Sequence, residues 1–134
     1  MQQHPSFAPT DAGRGSLRDY RYNLVPNSHR VRMVLAGSDD GQEEIERLSA
    51  AVEPRAFVAK RTADEERTDA PIPVRLFAEG RMSGVVGWVP RGLESVVIEA
   101  LSRLELSGRD ARIPVELRRG RHGWRVVLLM GLTR

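Results

Sequence analysis

Arg118, Arg119, Arg121, His122 and Arg125 fall close together near the end of this chain, with Trp124 among them. Guanidinium groups present planar forks of N–H donors that match phosphate oxygens, and an indole offers a face on which a base stacks. Arg81 and Arg91, with Trp88 between them, make a looser second group. Read as chemistry, Arg81, Arg91, Arg118, Arg119, Arg121 and Arg125 are candidate phosphate contacts, and Trp88 and Trp124 are candidate stacking residues. The plain alternative is a solvated basic turn beside core tryptophans, and Val86 and Val89 beside Trp88 favour burial there. Tyr20 and Tyr22 among Arg18, Arg21 and Arg30 form a smaller patch of the same kind, or pin the N-terminal segment to the domain.

Other chemistries find less support. His4, His29 and His122 lie in separate parts of the chain, there is no cysteine, and no spacing matches a zinc site. Acidic residues gather at 39–46 and 64–69 without the alternation of a calcium loop, so they read as solvated helix starts and loops. Ser28 and Ser83 have no base and orienting carboxylate nearby in sequence. The expectation is a non-enzymatic protein without metal or cofactor.

The elements that hold these residues can be read from periodicity. Residues 1–29 mix Gln, Pro, Ser, Gly, Asp and Arg without a period and are expected to be a flexible N-terminal tail, leaving 30–134 as one domain. The segment 31–36 alternates as a strand, placing Val31, Met33 and Leu35 on one face. A helix over 41–53 follows, capped by Asp39 or Asp40, striped by Ile45, Leu48 and Val52, and ended near Pro54. Residues 56–60 form a second strand, and the charged stretch 61–71 a loop.

Strand 72–78 carries Pro73, which donates no ladder hydrogen bond and suggests an edge or an early bend. Residues 79–84 connect it to strand 85–89, where Gly87 leaves room for close backbone approach. After Pro90 a helix sets Leu93, Val96, Val97, Ala100, Leu101 and Leu104 on one side and Glu94, Glu99 and Arg103 mostly on the other, and Gly108 stops it. Strands 111–117 and 123–130 form a hairpin whose turn is bracketed by Gly120 and Gly123. Six short strands and two helices predict an α+β fold: a partly closed β-barrel or curled sheet carrying the helices.

Composition narrows the setting. The formal charge of +3 is modest, yet the pI is about 10.1, and Lys60 is the only lysine among 21 basic residues. Such an arginine-rich surface suits nucleic acid, although a GC-rich genome favours arginine codons whatever the function. The opening residues lack the apolar core of a secretory signal, and no apolar run is long enough for a membrane helix. A cytoplasmic protein without a membrane partner is expected.

The segment IPVRLFAEGRMSGVVGWVPRGLESVV resembles the core of HIRAN domains, in which a strand and short hairpin lead through a V-G-Y-L-P-R phrase into a helix. The matching residues are Val86, Gly87, Trp88, Val89, Pro90 and Arg91, followed by Leu93. The likeness extends from about Val31 to Met130, with some twenty-five residues carrying it. Asp69 and Pro71 stand near the place of the family's Asn-Pro-Tyr-Asp-Pro-Asn-Ala loop, where its aromatic and asparagine are replaced by Arg67, Thr68, Asp69 and Ala70. That loop helps DNA-binding members grip the 3′ end of a single strand. The resemblance implies a small module that binds single-stranded DNA or DNA ends. The alternative is a protein-interaction or self-association module that pairs an exposed strand edge, at 72–78 or in the C-terminal strand, with a partner.

Overall fold

The computed structural model describes residues 7–134, so the first six residues of the expected tail, with His4, lie outside the described residues. Six antiparallel strands form one curled sheet: β1 (Met33–Val34), β2 (Arg55–Phe57), β3 (Pro73–Ala78), β4 (Arg81–Trp88), β5 (Ile113–Gly120) and β6 (Gly123–Leu128), in the order β1-β6-β5-β2-β3-β4. The two ends of this order meet. Ala36, just beyond β1, exchanges backbone hydrogen bonds with Trp88 at the end of β4, at 2.9 and 2.7 Å. The α+β expectation of a curled, partly closed sheet with helices is therefore met, and the seam is one bridge wide.

Gly87 makes the seam possible. A Cβ there would lie 2.9 Å from Leu35 Cβ and 3.0 Å from the Ala36 carbonyl, so only a bare backbone lets the two edges touch. The same closure shortens the first strand. Val31, Met33 and Leu35 are buried as their alternation requires, but after Val34 the chain changes partners. Leu35 still donates to the Val126 carbonyl, and Ala36 turns to Trp88.

Among the described residues three α-helices dress the sheet: α1 (Gln42–Leu48), α2 (Ala63–Arg67) and α3 (Glu94–Leu106). α1 is shorter than the predicted 41–53, and Asp39 and Asp40 form a 3₁₀ turn ahead of it without capping it by side chain. Leu48 is its last buried residue. The Ser49 hydroxyl then donates to the Glu46 carbonyl, the chain tightens into a turn, and Val52 is 77 % exposed. Pro54 thus lies beyond the helix and does not end it.

α2 stands where a loop was expected. Its polarity hid a capping box: the Thr62 hydroxyl accepts from Glu65 N–H while the Glu65 carboxylate accepts from Thr62 N–H. In α3, Glu94 leaves its expected polar face and is buried, accepting from Gly92 N–H at 2.7 Å. Val96, Val97, Ala100 and Leu104 pack inward, and Gly108, at a φ of 75°, follows the helix end.

The β3–β4 connection is tighter than expected. Glu79 and Gly80, both at positive φ, make a two-residue turn, so Arg81–Gly84 belongs to β4. The two extra residues of β4 are absorbed at two register shifts, one near Val86 and one near Ser83, whose buried hydroxyl accepts from Leu76 N–H at 2.8 Å. β3 is flanked by β2 and β4, so Pro73 opens an interior strand rather than an edge. β6 is likewise flanked by β5 and, over Val127–Leu128, by β1, so neither strand proposed as a docking edge lies at the end of the sheet order.

Val126, Val127 and Leu128 are all buried, consistent with a strand covered on both faces. The outer cover comes from the segment before Arg30. Two 3₁₀ turns, at Pro9–Asp11 and Leu17–Asp19, shape it, and Arg14 pairs with Val34 by two backbone hydrogen bonds of 2.9 Å. Tyr20 is buried in the core and bridges to Pro26, so one tyrosine of the N-terminal patch is a packing residue, while Tyr22 is fully exposed.

Candidate nucleic-acid interface

The β5–β6 hairpin turns on Arg121 and His122, between the paired Gly120 and Gly123. Alternation along its strands sorts the basic residues by face. Arg118 stands opposite Arg125 on the outer face with Glu116, whereas Arg119 stands opposite Trp124 on the face that continues into the core. Trp124 is half-buried against that core. Its backbone lies where β1 no longer reaches, and the Gln42 side chain takes over as partner: Gln42 Nε2 donates to the Trp124 carbonyl at 2.9 Å and Oε1 accepts its N–H at 2.6 Å.

On the outer face a cleft of about 420 Å³ opens between the hairpin and the N-terminal segment, lined by Arg14, Arg118, Arg121, His122, Arg125 and Val127 among others. A second cleft, of about 480 Å³, runs from Gly13–Leu17 to Pro90–Leu93 and includes Arg91. Gly13 and Arg14 line both clefts, which adjoin at the N-terminal segment as a candidate track. That track gathers Arg91, Arg118, Arg121 and Arg125, which the sequence scatters over thirty-five positions, around Arg14, which sequence reading did not select. Arg14 was hidden because it pairs with Val34 and lines a cleft with Pro90, both far away in the chain.

These arginines are not equivalent. Arg125 is nearly enclosed: it donates to Asp39 Oδ1 at 2.9 Å, to the Thr10 carbonyl at 3.2 Å and to the Trp124 carbonyl at 2.8 Å, with Asp11 at 3.8 Å. It ties the N-terminal segment to the hairpin. Arg91 is held by Asp69 at 2.8 Å and faces Glu94 at 2.9 Å, a contact close enough for an ion pair but not aligned as a hydrogen bond. Arg118 shares Glu116 with Arg32, at 3.0 Å each, and the hydrogen bond from Arg118 holds the Glu116 carboxyl below its ordinary range. Arg14, Arg81, Arg119 and Arg121 are exposed and make no ion pair among the described residues.

The remaining candidates lie apart from the track. Arg81 follows the β3–β4 turn. Trp88 sits at the seam, half-buried, where a Cβ on Gly37 would meet its Cδ1 at 2.6 Å and the Phe7 ring at 2.5 Å. Two further arginines, outside the candidate set, are engaged within the protein: Arg109 donates to the carbonyls of Thr133 and Arg134, and Arg112 stacks on Phe77 at 3.8 Å. Among the described residues no group of three or more His, Cys, Asp or Glu is arranged to hold a metal ion, and no helix is long and apolar enough to cross a membrane. No protein-family model, curated protein or solved structure matches this chain.

Proposed function

We propose that this chain is a non-enzymatic, HIRAN-like module that binds nucleic acid, with single-stranded DNA or a DNA end lying along the track between α3 and the β5–β6 turn. One observation carries the reading: Gly13 and Arg14 join two clefts, so that exposed Arg14 and Arg121 and the half-neutralised Arg118 face one path. Arg119 extends the positive charge around the hairpin tip. Arg91 and Arg125 shape the walls, because carboxylates already hold them. Trp124 contributes a half-buried face beside Arg119 rather than an open platform, so affinity rests on phosphate contacts and modest stacking.

Fluorescence anisotropy with labelled single-stranded, blunt and 3′-overhang DNA tests this at several salt concentrations. The reading expects binding that weakens with salt and favours an available single strand. No binding to any form at low ionic strength overturns it. A protein-interaction module is the second reading, and exposed Met82 on β4, at the end of the sheet order, is the observation that favours it. Light scattering over a range of concentrations separates the two: self-association lost on Met82→Lys supports the second reading, and a strict monomer counts against self-pairing there.

A further inference from the structure

We infer that Asp11 is a positioning residue that latches the N-terminal segment onto the sheet and thereby holds Arg14 in the binding track. This rests on the nucleic-acid reading above and adds to it the claim that the site is complete only with this segment in place.

The latch is unusually well built for one carboxylate. Asp11 is only 4 % exposed; its Oδ1 accepts from Ser38 N–H at 2.8 Å and its Oδ2 from Asp39 N–H at 2.9 Å. Its backbone carbonyl accepts from Gly37 N–H at 2.9 Å, and the Arg125 guanidinium closes over it. A carboxylate that satisfies two backbone donors beside a cation makes charge-assisted bonds, stronger than neutral ones. Two residues further on, Gly13 adopts a φ of 78° where a Cβ would sit 2.7 Å from the Val34 carbonyl and 2.9 Å from Pro90 Cγ. The chain can reach Arg14 in this geometry only because position 13 has no side chain. Arg14 then locks to Val34 in both directions, leaving its side chain exposed between the two clefts.

Electrostatics and positioning predict opposite signs for removing this carboxylate. Asp11 is a negative charge beside a phosphate track, so if it acts only through its charge, Asp11→Asn tightens DNA binding. If it positions Arg14, the substitution weakens binding, by about threefold to fivefold at low salt for one phosphate contact. Gly13→Ala, which leaves every charge unchanged, then weakens binding similarly, and neither change adds to Arg14→Ala in a double-mutant cycle. Tighter binding by Asp11→Asn, or full additivity with Arg14→Ala, overturns the inference.

Amide hydrogen exchange reads the latch independently of DNA. The inference expects Asp11→Asn to speed exchange at Arg14 and Val34 while core amides such as Leu76 keep their protection; unchanged exchange at Arg14 and Val34 overturns it. If the unaltered protein binds no DNA but the exchange result holds, the functional reading has failed and the latch has not.

Discussion

At the start of α3, Arg91 reaches two carboxylates, Asp69 and Glu94, and Asp69 is shared in turn with Arg61, whose side chain is almost enclosed and also donates to the Ala70 carbonyl. At the β5–β6 turn, Arg119 and Arg121 extend into solvent with no carboxylate on either. Both regions are arginine-rich in sequence, yet one uses guanidinium groups as internal struts and the other leaves them available. The difference lies in the acceptors supplied by distant chain segments. A count of arginines therefore overstates the positive charge left open at the surface, and the contrast between struts and open arginines is what experiment can test.

The largest effect should come from the hairpin group, open Arg119 and Arg121 with half-neutralised Arg118. Reversing Arg118, Arg119 and Arg121 to Glu is expected to weaken oligonucleotide binding by about a hundredfold at low salt, because each change removes an attraction and adds a repulsion. The melting temperature should barely move; a comparable loss from reversing Arg81 alone, which is open but lies apart from the clefts, would show that position on the track does not matter. Among the struts, Arg103 is the deepest contrast. It donates to the Thr133 carbonyl at 3.1 Å and to its hydroxyl at 2.9 Å, and burial lowers its pKa. Arg103→Ala should cost about 2 kcal/mol in urea unfolding, against roughly 0.5 kcal/mol or less for Arg119→Ala.

Tyr20, next to Arg103, gives a pH signature. Burial, aided by Asp19 and opposed by Arg103, pushes its phenol up from 10.0 to about 12. Folding thus favours the protonated phenol, and that contribution is complete below pH 10 and lost as pH rises toward about 12. Across this window the unaltered protein should lose stability faster than Tyr20→Phe, as followed by circular dichroism; parallel curves would remove Tyr20 from the account. The smallest binding effect belongs to Arg91→Ala, expected to stay within about twofold because Asp69 and Glu94 already neutralise it. A loss equal to that of Arg121→Ala would erase the contrast between the two regions.

Much of the frame was legible because it is local. The alternation of Val31, Met33 and Leu35, the stripe of α3 and the glycines around Arg121 each act within a few residues, and each is found in the fold. The Thr62–Glu65 capping box was legible too, but its charged setting outweighed it. Val52 continued a helical spacing that the packing does not use, since α1 stops at Leu48, its last buried residue, and the turn beyond packs only Ala51 against the core. The proposed binding track was not legible. It depends on Asp11 meeting Ser38 and on Arg14 meeting Val34, pairings across about twenty residues or more that no periodicity announces. Which arginines are neutralised was hidden for the same reason, as Arg125 and Asp39 lie 86 positions apart.

The central claim is that a few open arginines on one track, rather than the total basic charge, bind nucleic acid. A salt titration of single-stranded DNA binding tests it most directly, because each neutralised phosphate contributes about 0.7 to the slope of log affinity against log salt. With two to three contacts, the account predicts a slope of roughly −1.5 to −2, flattened by about 0.7 in Arg14→Ala and again in Arg121→Ala, but unchanged in Arg91→Ala. Equal flattening by all three substitutions, or by none, would contradict it.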